Sequence, residues 1–226
     1  ALVHSRESVR LDPERAEAWF NLGMLQLDCV QLNDCIASFR EALALRQAYP
    51  AAVSSLLYVL NLLPGADPAA IADEHRRVAA ELFGDIAAFR SWPERDDRVR
   101  IGYVSGDFRA HAVNYFFEPV LQNHDSARFE SFCYSDVTVP DQVTERLQAG
   151  AHHWREISGM PDEAVADLIR ADRIDILVDL VGYTQHGRLG VFARKPARCQ
   201  MSYLGYPNTT GLNAMVNEKS RAALTR

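Results

Sequence analysis

The sequence predicts an α/β chain in which helices come first and a parallel-sheet lobe follows. Three observations predict it. Up to about residue 83, apolar side chains recur at helical spacing. From about residue 98, short apolar runs alternate with helix-like stretches. Between them, residues 91–100 carry Pro93 and a run of charged side chains and read as a linker. The 226 residues suffice for one large domain or two small ones. With 48% hydrophobic and 24% charged residues, the composition is globular.

The first section carries a repeat signature. Trp19, Leu22, Gly23, Cys35, Phe39 and Ala42 follow the large-small spacing of a 34-residue tetratricopeptide helix-turn-helix unit. Trp19, Leu22 and Gly23 share one face of the first helix. Ile36, Phe39, Ala42 and Leu43 line a face of the second. Gly23 and Cys35 are the small residues that let the helices approach. Residues 1–13 read as the tail of a preceding repeat, and the chain as a piece of a longer protein. Residues 51–63 are apolar nearly all round, the pattern of a buried helix. Pro64-Gly65 ends it. Asp67 then caps a helix that opens on Pro68 and runs to about Phe83.

The lobe begins with a strand over 99–105. The pattern then predicts a helix over 113–122, a strand over 129–135, a helix over 142–149 and a short strand over 154–157. A helix over 162–170 follows Pro161. The near-continuous apolar run 174–181 predicts a strand buried on both faces. Residues 189–193 are helix-like, and 200–204 form a last strand. Strands alternating with helices predict a Rossmann-like lobe with a parallel sheet covered on both sides.

Three strands end in polar, glycine-bearing loops: Ser105-Gly106-Asp107 with His111, Gly182-Tyr183-Thr184-Gln185-His186-Gly187-Arg188, and Leu204-Gly205-Tyr206-Pro207-Asn208-Thr209-Thr210-Gly211. In a parallel sheet all three lie on one edge, where ligands bind. Glycine lets backbone N–H groups approach a ligand, and the hydroxyls and amides suit sugar or phosphate oxygens. Two readings of the first loop stand side by side. Asp107 is a helix cap and His111 a surface histidine, or the two are an ionisable pair in a site. His186 reads as a solvent-exposed loop histidine. There is no Gly-x-Gly-x-x-Gly after the first strand and no Gly-x-Ser-x-Gly, which argues against a dinucleotide site and a serine hydrolase.

The formal net charge of −6 argues against nucleic acid and anionic membranes as partners. No apolar run reaches bilayer-spanning length. Cys29, Cys35, Cys133 and Cys199 form no Cys-x-x-Cys pair and have no histidine at metal-ligand spacing, which fits reduced thiols in a cytoplasmic compartment.

The tetratricopeptide helices occur in order with Ile101-Gly102-Tyr103-Val104-Ser105-Gly106-Asp107-Phe108 and His111. Next come Ile176-Leu177-Val178-Asp179-Leu180-Val181-Gly182-Tyr183-Thr184 and Phe192-Ala193-Arg194-Lys195-Pro196-Ala197, then Gln200 and the run 204–211. This combination resembles the bacterial branch of the protein O-linked N-acetylglucosamine transferases, glycosyltransferase family 41. The resemblance implies the N-terminal half of a two-lobed GT-B fold fed by a tetratricopeptide superhelix. It implies inverting transfer of N-acetylglucosamine from UDP-GlcNAc, a nucleotide-sugar substrate rather than a cofactor, to Ser or Thr hydroxyls. The tetratricopeptide region would receive the protein acceptors, and no metal is required. By the same resemblance, His111 is the active-site imidazole, considered as a general base with the donor's own phosphate as the alternative proton acceptor, and Asp107 helps to move the proton. Leu204, Gly205 and Pro207, with Tyr206 and Thr184, border the sugar pocket. A related transferase of another sugar, such as fucose, or a non-enzymatic tetratricopeptide adaptor are the alternatives.

The sequence departs from the family at Ala110, where animal members carry Asn, and after Met215, where the tail no longer follows the pattern. The second lobe, which carries most nucleotide contacts in this family, is missing, so the chain alone is expected to be inactive. The expected organisation is a tetratricopeptide region over 1–50, a helical connector and linker over 51–97, the N-terminal catalytic lobe over 98–213 and an atypical tail over 214–226.

Overall fold

A computed structural model describes residues 1–47, 49–92 and 97–215. Ala48, part of the expected linker (93–96) and most of the expected tail (216–226) lie outside the described residues. The chain divides into two compact units, Ala1–Leu82 and Phe83–Arg226.

The first unit is helical. α1 spans Leu2–Leu11, α2 Ala16–Asp28, α3 Leu32–Leu45, α4 Pro50–Leu60 and α5 Pro68–Phe83. The three residues between α2 and α3 make them neighbours, and the predicted faces meet: Leu22 and Gly23 of α2 and Cys35, Ile36, Phe39 and Ala42 of α3 are buried. A hydrogen bond from the Ser38 hydroxyl to Gln26 Oε1 (2.7 Å) satisfies the buried polar pair between them. α4 buries Ala52, Val53, Leu56, Leu57, Val59 and Leu60. Asp67 accepts from the Ala69 amide at the start of α5, as the cap reading requires.

Gly23 shows why the α2–α3 pair needs a small residue there. A Cβ at this position would stand 2.6 Å from the ring of Phe39, which is itself fully buried and flanked by Phe20. Gly23→Ala gains about 1 kcal/mol of helix propensity. Forcing the ring aside costs more, so a net loss of about 1–2 kcal/mol is expected in urea unfolding. A variant as stable as the wild type would show that Phe39 has room to move.

The second unit is a doubly covered parallel sheet. β1 spans Val99–Ser105, α6 Asn114–Gln122, β2 Phe129–Ser135, α7 Gln142–Gly150, β3 His153–Glu156, α8 Asp162–Ala171, β4 Ile176–Asp179, α9 Leu189–Ala193 and β5 Cys199–Ser202. All pairings are parallel, in the order β3-β2-β1-β4-β5. One face packs Ile101, Tyr103, Cys133 and Val178 against Phe117, Leu121 and Leu147 from α6 and α7. On the other, Tyr134 closes over Gly102, where a Cβ would stand 3.0 Å from its ring. The chain upstream of β1 is pinned to this unit. The Phe89 amide donates to Arg194 O (2.8 Å), and the Trp92 indole donates to Lys195 O (3.1 Å).

The strand order places the site. From β1 the chain winds outward to β2 and β3, then crosses back to lay β4 on the other flank of β1. The switch point therefore lies between β1 and β4, where their outgoing loops diverge and leave a crevice. Those loops are 106–113 and 180–188.

Candidate functional site

β1 ends at Ser105, whose hydroxyl accepts from the Asp107 amide (2.9 Å) and turns the chain. Asp107 is buried. Its Oδ2 lies 3.9 Å from His111 Nδ1, and its Oδ1 lies 3.8 Å from Arg109 Nη2. The His111 side chain is 43% exposed, beside a carboxylate that is only 10% exposed. The helix-cap reading of Asp107 does not hold: α6 begins at Asn114, its N-cap is Val113, and no side chain caps it. His111 Nδ1 accepts from the Val113 amide (3.4 Å), and the Asp107 carboxylate stands 3.9 Å away, beyond hydrogen-bond length. A group so placed can exchange a proton with a ligand while an anion stands behind it.

The loop after β4 is built on Asp179. Its fully buried carboxylate accepts from the Val181 and Gly182 amides (3.0 Å each) and from the Ser202 hydroxyl (2.9 Å). Burial pushes this carboxyl above the usual carboxylate range, against the pull of those donors. Gly182 takes a positive φ of 65°, and a Cβ there would meet the Cβ of Tyr206 at 2.4 Å. Only glycine satisfies both constraints. Thr184 is half-buried, and its hydroxyl donates to Val181 O (2.9 Å), leaving its lone pairs to accept from a ligand.

The loop after β5 interlocks with this one. A Cβ on Gly205 would fall 1.7 Å from Leu180 O, so backbone packs directly on backbone. Tyr206 is buried, edge-on to Tyr183 at 5.7 Å, and supports the loops from below. Leu204 holds a left-handed φ of 66° and is exposed, as is Pro207. Strain of this kind is retained where the surrounding structure dictates it.

His186 closes the array. It also has a left-handed backbone (φ 67°), and its Cβ stands 2.5 Å from where a Gly106 Cβ would be. The structure thus joins the β1 loop to the β4 loop through His186 on Gly106, and the β4 loop to the β5 loop through Tyr206 on Gly182. Arg188, 12% exposed, anchors the far end of the β4 loop. Its guanidinium donates to Asp136 (3.0 Å), Asp162 (2.7 Å) and the carbonyls of Ile157 and Met160. Among the described residues no group of three or more His, Cys, Asp or Glu is placed to hold a metal ion. No helix searched is long and apolar enough to cross a membrane.

The profile of Glycosyl transferase family 41 matches residues 55–218. The chain belongs to this family. It is 39% identical over 167 residues to the probable UDP-N-acetylglucosamine–peptide N-acetylglucosaminyltransferase SPINDLY of Hordeum vulgare, covering 70% of this chain and 18% of that protein. It is 40% identical over 116 residues to the probable transferase SEC of Arabidopsis thaliana, covering 50% of this chain and 12% of that one. A solved structure of a mutant Thermobaculum terrenum O-GlcNAc transferase superposes with a TM-score of 0.85 at 38% identity, over 95% of this chain and 42% of that one. The family 41 chain described here thus spans less than a fifth of these two curated relatives and under half of the solved one. The family 41 profile starts at residue 55, inside α4, and takes in all three loops.

Asp179, His186 and Arg188 play parts that sequence reasoning missed. Asp179 was hidden in an apolar run. The partners of Arg188 lie 26 to 52 residues away in the chain, and no local pattern reveals them.

Proposed function

We propose that this chain supplies the acid–base loop and one wall of the sugar site of an inverting transferase. The enzyme moves N-acetylglucosamine from UDP-GlcNAc to Ser or Thr hydroxyls of proteins. The observation that carries the reading is the Asp107–His111 loop at the switch point of a family 41 lobe. In the reaction, the acceptor oxygen forms a bond to the anomeric carbon as that carbon's bond to the UDP oxygen breaks. UDP leaves with the electron pair, and the anomeric centre inverts. The hydroxyl proton passes to His111, and the resulting imidazolium gains from the Asp107 carboxylate beside it. Leu204, Gly205, Tyr206, Pro207 and Thr184 form the sugar-side wall.

The same reading organises the chain as a tetratricopeptide region over 1–50 that receives acceptors, a connector over 51–97 and the catalytic lobe over 98–213. A second lobe supplies most nucleotide contacts, so the 226 residues alone should turn over no donor. The test is transfer of radiolabelled sugar to a protein acceptor, from UDP-GlcNAc and from GDP-fucose, by the full-length gene product and by this chain. Transfer from UDP-GlcNAc by the full-length product alone is expected. Transfer only from GDP-fucose would overturn the donor, and turnover by the 226 residues would overturn the division of labour between lobes.

A further inference from the structure

The loop that carries His111 is held from two sides by residues outside the pair itself. Asn114, the first residue of α6, is buried, and its amide donates both hydrogens across the loop, to Asp107 O (2.6 Å) and Arg109 O (2.5 Å). Its own backbone N–H donates to His111 O (3.1 Å). From the opposite side comes Asp141, the N-cap of α7. Its Oδ1 accepts from the Val143 and Thr144 amides of the helix, and its Oδ2 reaches across to the Ala110 amide at 2.7 Å. One carboxylate thus ties the start of α7 to the residue immediately before His111. A charge-assisted bond to an N–H is short and directional, so it holds position as well as energy.

We propose that Asp141 and Asn114 are positioning residues that fix the 107–113 loop and so hold His111 where it meets its substrate. The inference rests on the transferase reading. Ala110 has no side chain able to reach a partner of its own, so the loop there depends on its backbone bond to Asp141. The N–H donors around Asp141 hold its carboxyl below the usual range, which keeps the tether charged at neutral pH. Asn114 uses every donor on its amide, and its Oδ1 is buried without a protein partner among the described residues. The donation to two loop carbonyls therefore dictates its orientation.

The experiment separates the tether from the helix cap. In Asp141→Asn the amide oxygen stays on the two α7 amides, because two bonds outweigh one, and an NH2 then confronts the Ala110 N–H. Thr144→Ala removes the bond that Thr144 Oγ1 accepts from the Asp141 amide (3.0 Å) and the one its hydroxyl donates to Asp141 Oδ1 (3.3 Å), and it leaves Oδ2 on the Ala110 amide. Asp141→Asn should speed hydrogen exchange at Ala110 about tenfold while α7 stays protected. In the full-length gene product it should lower kcat roughly ten- to a hundred-fold, as small misplacements do, with KM for UDP-GlcNAc within about twofold. Thr144→Ala should do neither. Asn114→Ala should lower kcat in the same way, but Asn114 is buried, so Asp141→Asn decides. A kcat within about twofold of wild type in Asp141→Asn, or an equal fall in Thr144→Ala, would overturn the proposal. A wild-type protein that transfers no sugar would sink the functional reading instead, and Ala110 exchange alone would then decide the tether.

Discussion

In the full-length gene product, His111→Ala is expected to lower kcat by about 10²–10⁴-fold, the usual contribution of a positioned acid–base group. That corresponds to roughly 3–5 kcal/mol of transition-state stabilisation. KM for the nucleotide sugar should change little, because the role proposed for the imidazole is with the moving proton and not with the donor. Stability should barely change. The side chain is 43% exposed, its closest protein partner is the Val113 amide at 3.4 Å, and the Asp107 oxygen stands 3.9 Å away. Surface changes of this kind stay within about 0.5 kcal/mol. Asp107→Asn keeps the shape and removes the charge behind the imidazole, so it should lower kcat less than His111→Ala does. Initial rates at saturating donor, with urea unfolding of the same samples, check both points. Activity within a few-fold of wild type would mean that His111 is an ordinary surface histidine.

The elements of the lobe were legible because each one carries its own period. The strand at 99–105 alternates through Val99, Ile101 and Tyr103, and it is found at those residues. The run 174–181 was read longer than β4, and the hydrogen bonds show why. Asp175 N to Arg100 O and Leu180 N to Val104 O continue the contact with β1 beyond the ladder at either end. At 200–204 the strand stops at Ser202, because Leu204 turns into the left-handed region and cannot continue a ladder. Boundaries of this kind are set by backbone conformation that no side-chain pattern announces. The same holds for the order of strands. That β1 lies between β2 and β4 is a long-range fact, and only that order brings the Asp107 loop beside the Gly182 loop. The glycines of the loops were visible in the sequence. Their partners were not: His186 over Gly106, Tyr206 over Gly182 and Leu180 O under Gly205 are each many residues distant. In the sequence His186 reads as a solvent-exposed loop histidine. It is exposed, yet its Cβ is what forbids a side chain at Gly106.

Arg188→Ala should be the most destabilising of the single changes considered for this lobe. The guanidinium is 12% exposed and faces Asp136, which is equally buried. Its other bonds reach Asp162 and the Ile157 and Met160 carbonyls. Asp162 is 37% exposed, so water screens that pair and it adds little. The loss centres on Asp136, left as a buried carboxylate without its cation, a change that typically costs about 3–5 kcal/mol. Lysine should not rescue it, because one ammonium cannot span two carboxylates and two carbonyls. The pH dependence has a definite sign. Burial already raises the Asp136 carboxyl above its ordinary range, and Arg188 is the main influence pulling it back. Without Arg188 it must rise further. A carboxyl whose folded value exceeds its unfolded one binds more protons folded, so stability falls as pH rises through that window. The penalty of Arg188→Ala is therefore largest near neutral pH, and it should shrink as pH falls toward about 4, as the stranded carboxyl takes up a proton in the folded variant. Urea unfolding of wild type and variant at both pH values checks this, and a penalty that is independent of pH would show that Asp136 is not the group left stranded. The loop carrying Thr184 and His186 ends at Arg188. A loosened Arg188 should therefore also speed amide exchange across 182–188, while β1 and β2 stay protected at temperatures where the lobe remains folded.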